Sequence, residues 1–168
     1  MDVLKAIENT GFGIWVRESG SIWSYPTIIF LHSLGLAFVV GLNWAIDLRL
    51  LGVARQLPVR PMEKLFPFMW AGFWTNAASG LALTIGDAAT MLNNPIFYAK
   101  MACIVAAMIV LARTRATVFR SPDLTDASIP MRGRLLAAAS LLCWTGAIAA
   151  GRLTAYIGAG AAVKGGAG

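Results

Sequence analysis

The sequence predicts an all-α membrane protein, a four-transmembrane-helix up-and-down bundle preceded by an N-terminal interfacial amphipathic helix. Three observations carry that expectation. The 168-residue chain is 58% hydrophobic and only 13% charged, with a mean hydropathy of +0.68. Soluble domains carry about 25% charged residues. Ile22 to Ile46 forms a run without a formal charge, longer than the ~20 apolar residues a helix needs to cross a hydrocarbon core. Further charge-poor runs follow, separated by short segments rich in arginine and proline.

Residues 1–20 place Val3, Leu4 and Ile7 at helical spacing ahead of Phe12, Ile14, Trp15 and Val16. This reads as an amphipathic segment lying in the interface, a lid or cap, with Trp15 and Trp23 at headgroup level. Lys5, Glu8, Arg17 and Glu18 interrupt any signal-peptide core, so the first span is expected to act as its own insertion signal.

The transmembrane domain is expected over 21–157, with helices at about 22–46, 65–85, 95–112 and 135–157. Asp47 and Arg49 close the first, as an ion pair or inner cap. Pro67 falls in the first turn of the second, where it has little to disrupt. Asn94 and Pro95 signal the start of the third, in which Lys100 can snorkel toward headgroups. Arg152 interrupts the fourth near its far end, and the glycine and alanine stretch 158–168 is expected to be a flexible tail.

The connections after the first and third helices hold Arg49, Arg55, Arg60, Lys64, Arg113, Arg115, Arg120, Arg132 and Arg134, nine of the fourteen basic residues. Basic loops stay cytoplasmic. The chain is therefore expected to be multi-pass, with both termini facing the periplasm or exterior. The net charge of +6 follows from this topology. No basic stripe interleaves with aromatics, so nucleic-acid binding is not expected. Cys103 and Cys143 fall in apolar runs and imply no disulfide framework.

Chemistry is expected around His32, the single histidine. Counting ~1.5 Å per residue along antiparallel helices puts Thr75, Asn76 and Ser79 near its depth, with Met108 on the third helix and Ala147, Trp144 and Cys143 on the fourth. Small residues at intervals of four, Gly72, Asn76 and Gly80, mark the inward face of the second helix. A neutral imidazole can ligate haem iron or copper, or hydrogen-bond a quinone; it can also act as interhelical glue to Asn76 or Thr75.

One histidine excludes a bis-histidine haem within the chain, so haem b needs Met69, Met101, Met108, another subunit or an open position as second ligand. Trp74, Trp144 and neighbouring aromatics can flank a flat cofactor or face lipid. Lys100 and Arg152 form a basic pair at the outer mouth, suited to a propionate, a quinone oxygen or a lipid headgroup. The candidate site is thus His32, Trp74, Asn76, Lys100, Met108, Trp144 and Arg152, with His32 as any metal ligand. Phosphate-cradling loops, clustered Cys/His spacing and nucleophile elbows are absent from the sequence, and no carboxylate is placed in mid-span.

The series His32-Ser33-Leu34-Gly35, Asp47-Leu48-Arg49-Leu50-Leu51-Gly52, Trp70-Ala71-Gly72-Phe73 and Asn94-Pro95-Ile96-Phe97-Tyr98-Ala99-Lys100 resembles a family of small bacterial four-helix membrane proteins over roughly residues 10–155. More loosely, the chain is similar to copper-resistance D type membrane domains and four-helix b-type cytochromes, which implies metal or electron-transfer chemistry near His32. The expected role is a non-catalytic or electron-transfer membrane subunit of a respiratory or other redox complex, holding a haem, quinone or lipid. Copper handling and a cofactor-free scaffold are the alternatives. The expected partners are membrane lipid and other membrane subunits, or copies of itself.

Overall fold

In the computed structural model the backbone is described for residues 2–122, 124–125 and 129–165, and side chains within 3–154. The described residues are predominantly helical, with no strand among them. Seven helices follow one another: α1 (Asp2–Glu8), α2 (Gly11–Glu18), α3 (Tyr25–Leu50), α4 (Phe66–Gly86), α5 (Ala88–Leu92), α6 (Pro95–Phe119) and α7 (Met131–Gly165). The expected single segment over 1–20 is two short helices, broken where Thr10 caps α2 by accepting from the Gly13 amide at 3.2 Å.

Three helices, α3, α6 and α7, are long and apolar enough to cross a membrane. Their apolar windows are only 22%, 17% and 28% buried, so most of that oily surface points away from the protein, as a lipid-facing belt requires. Helix α4 has 21 residues but falls short of this group in composition, because Pro67, Trp70, Gly72, Trp74, Thr75, Asn76, Ser79, Gly80 and Thr84 dilute its hydropathy.

Each of these three helices, α3, α6 and α7, runs past a boundary expected from charge. Asp47 and Arg49 lie inside α3, Arg113 and Arg115 inside α6, and Arg132 and Arg134 inside the first turns of α7. A charge ends an apolar run without ending a helix. Arginine is a good helix former, and cations in a last turn complement the helix dipole. Helix α7 continues to Gly165, into the stretch expected as a tail, in keeping with its alanine content; residues 166–168 lie outside the described residues.

Packing divides the bundle into two ends. Helix α3 pairs with α4, and α6 with α7, while the second half of α3 also packs on α7. The core consists of Val39, Val40, Ile46, Leu50, Phe66, Met69, Met108, Leu111, Val118, Phe119 and Trp144 with their neighbours. Most belong to the half nearest the arginine-rich connections, the basic end, while Trp144 lies just past the middle of its helix, near the level where Gly146 meets Cys103. There Phe66 meets Phe119 edge to face at 5.3 Å, Arg115 lies 5.6 Å over the Phe66 ring, and Glu63 pairs with Arg115 at 3.4 Å. Arg49 is buried and donates to the carbonyls of Leu57 at 2.6 Å and Arg55 at 3.0 Å, and Arg60 donates to those of Ser121 and Leu124. Both basic connections are thereby knitted to the bundle.

At the opposite end α4 and α6 diverge, and α1, α2 and α5 cover the gap. Gly86 lies against Val16, and Arg17 reaches the Gly86 carbonyl at 3.5 Å. The Glu8 carboxylate accepts the Ala89 amide at 2.7 Å, which fastens α1 onto the start of α5. We refer to this as the capped end.

Candidate functional site

Contact between α3 and α4 is built on glycine. A Cβ at Gly35 would stand 2.7 Å from both the Gly72 carbonyl oxygen and the Asn76 nitrogen, and one at Gly72 would stand 2.8 Å from the Phe38 Cβ. Backbones so close can be joined by short polar side chains. Asn76 Nδ2 donates to the His32 carbonyl at 2.7 Å, and His32 Nδ1 lies 3.0 Å from the Asn76 carbonyl oxygen and 3.2 Å from Ser79 Oγ.

This geometry fixes the histidine tautomer. A carbonyl oxygen only accepts, so the hydrogen between it and Nδ1 is carried by the nitrogen. The Ser79 proton is spent on the Thr75 carbonyl at 2.6 Å, which leaves its oxygen to share the same N–H. In the neutral ring Nε2 then bears the lone pair. Among the described residues Nε2 has no hydrogen-bond partner. The ring edge rests on Gly80, where an added Cβ would come within 3.0 Å of Cε1.

His32 belongs to the wall of a cavity of about 520 Å³ between α4 and α6, within the ~300–1,000 Å³ of ligand pockets. Its lining is overwhelmingly apolar, with Phe73, Ala77 and Ile104 toward the basic end and Ile7, Ala88 and Leu92 as a roof. Polar groups enter from His32, Asn76, Thr84 and Lys100. Lys100 packs its stem on Gly151 and holds Nζ 5.9 Å from the Phe97 ring centroid. Leu81 and Val105 line the cavity while 63% and 58% exposed, so it opens sideways between α4 and α6.

Of the residues expected from the sequence, the structure brings His32, Asn76 and Lys100 together in this wall. The others lie elsewhere. Trp74 is 64% exposed, because two residues of helix rotate it about 200° from Asn76. Met108 lies eight residues beyond Lys100, about 12 Å farther along α6, and is buried in the core. Trp144 is in the same core, and Arg152 is exposed on α7; among the described residues none from α7 lines the cavity. Met101 is the methionine that lines the cavity.

A second polar cluster escaped the sequence reading. Asn43 Nδ2 donates to Asp47 Oδ2 at 2.7 Å and to Ser140 Oγ at 2.5 Å, tying α3 to α7. Asp47 is 1% exposed, a buried carboxyl where an interfacial group was expected. The i, i+4 spacing of Asn43 and Asp47 was the available signal. Its acceptor, Ser140, lies on a helix too distant in sequence to be paired by inspection.

No family model, no curated protein and no solved structure matches the chain.

Proposed function

We propose that the chain is a multi-pass protein of the bacterial inner membrane. In this reading α3, α4, α6 and α7 all cross, forming a four-helix up-and-down bundle with both termini periplasmic. The capped end then faces outward, and the protein serves as a membrane subunit of a respiratory or other redox assembly. It holds a hydrophobic cofactor with a polar head, a haem, quinone or lipid, in the cavity beside His32.

The observation that carries this reading is the unshared Nε2 lone pair of His32, held by the Asn76 clasp in the wall of an apolar cavity. Histidine used purely as glue needs no second face toward a cavity. Support for the fourth span comes from α4 itself, whose 21 residues make a helix of about 31 Å, close to the ~30 Å hydrocarbon core. It is also paired with α3 through the Gly35–Gly72 contact. The sideways opening suits a ligand supplied from the bilayer.

For haem, His32 is a ligand with a free lone pair and Met101 in the same wall is the candidate second ligand. The same methionine is what favours the copper-handling alternative.

The test is purification from native membranes in nanodiscs, followed by absorption spectroscopy, metal analysis and organic extraction. A Soret band, or a co-purifying quinone or lipid, that disappears in His32→Ala supports the reading. An identical empty profile for both proteins, with partner complexes unchanged, overturns it in favour of a scaffold. A reporter fused at Gly168 that reads cytoplasmic overturns the orientation.

A further inference from the structure

We infer that the cavity selects a hydroxyl-bearing aromatic headgroup, a hydroquinone or related phenol, over the corresponding quinone, with His32 Nε2 accepting the hydroxyl proton and Lys100 donating to an oxygen of the ring. The inference rests on the reading of the cavity as a cofactor site and names the chemistry of its occupant.

Nδ1–H is committed to the Asn76 carbonyl and Ser79 Oγ, so the remaining ring nitrogen, Nε2, is an acceptor carried by a residue of the cavity wall. A second proton on the ring would set an imidazolium in the same wall as the Lys100 ammonium, with no carboxylate among the described lining residues. Lys100 has only donors. The two groups therefore ask different things of a ligand: a proton donor at His32 and an acceptor at Lys100. A hydroxyl is both. A quinone carbonyl satisfies Lys100 but leaves two lone pairs facing each other at Nε2, and an ether does the same.

The remainder of the wall selects the body of the ligand. Phe73 and Phe97 supply aromatic surface at either side of the polar pair, and Ala77, Leu81, Ile104 and Val105 supply aliphatic surface leading to the sideways opening. A flat ring carrying an alkyl or isoprenoid chain matches this order, its ring between the helices and its chain toward the bilayer. Phenolic hydroxyls are also stronger donors than aliphatic ones, which suits a lone acceptor in an apolar wall.

The test uses wild-type protein in lipid nanodiscs and three probes: decylubiquinol kept reduced under argon, decylubiquinone, and the dimethyl ether of decylubiquinol, which has no hydroxyl proton. Decylubiquinol is expected to bind about tenfold more tightly than either of the others, the value of one hydrogen bond made rather than left unmade. His32→Leu is expected to erase that preference. Because this change also removes a contact with α4, Lys100→Met serves as a second variant: all probes weaken, yet the preference for the hydroquinone over its ether survives. Equal binding of the three probes by the wild-type protein overturns the inference, and so does binding of none of them. If native extraction still yields a haem or lipid that depends on His32, the cofactor reading stands without it; if extraction is empty as well, both fall.

Discussion

His32 and Asn76 hold one another reciprocally across α3 and α4, the ring donating to one main-chain carbonyl at 3.0 Å and the amide donating to the other at 2.7 Å. Each side chain therefore reports the position of its partner's backbone. Asn76→Ala should destabilise the protein by about 0.5–2 kcal/mol, the range for hydrogen bonds between membrane helices. Unfolding in mixed detergent measures it. No change in midpoint would show that the clasp adds nothing to the helix pair.

Gly72→Ala should be worse than its single methyl implies. The new Cβ would meet the Phe38 Cβ at 2.8 Å and the Gly35 carbonyl oxygen at 2.9 Å, and neither belongs to a flexible side-chain end. An overpacking cost of about 1–3 kcal/mol is expected. Gly41→Ala is the control, since nothing lies within 4 Å of its added methyl; it should be neutral or slightly stabilising. Similar losses at the two sites would refute the close approach of α3 and α4.

Asn43 and Ser140 should be energetically coupled. Asn43 Nδ2 reaches both Asp47 and Ser140, so a double-mutant cycle with Asn43→Ala and Ser140→Ala should return about 0.5–1.5 kcal/mol of interaction energy. Strict additivity would mean that α3 and α7 are held there by packing alone.

Glu8→Gln should loosen the cover of the cavity without unfolding the bundle. The Glu8 carboxylate accepts the Ala89 amide at the start of α5, and a neutral amide is a weaker acceptor there. Hydrogen exchange at Ala89 and through residues 2–8 should accelerate severalfold, while α6 and α7 keep their protection. Unchanged exchange at Ala89 would show that the carboxylate does not fasten α1.

Much of this arrangement was legible in the residues. Charge-free runs located the long helices, and the four-residue spacing of Gly72, Asn76 and Gly80 pointed to the face of α4 that meets His32. Depth counting brought Asn76 and Ser79 level with the ring. What counting missed was rotation and divergence. Trp74 is level with the site but turned outward, and Trp144 lies on a helix that leaves the cavity to α4 and α6. The turns of π-helix at Ala37–Gly41 and Arg115–Phe119 add residues to a turn and shift which side chains face inward beyond them. No hydropathy pattern announces such a shift. Asp47 was misplaced for a related reason, since its position near a helix end implied solvent while packing against α7 enclosed it.

The largest connected apolar core lies toward the basic end, while the capped end is held by smaller contacts, Val16 on Gly86 and the Glu8 carboxylate on the Ala89 amide. One half resembles the pivot of a clothes-peg and the other its jaws. Cohesion resides at the pivot, so substitutions in the jaws put less of the fold at risk than substitutions there.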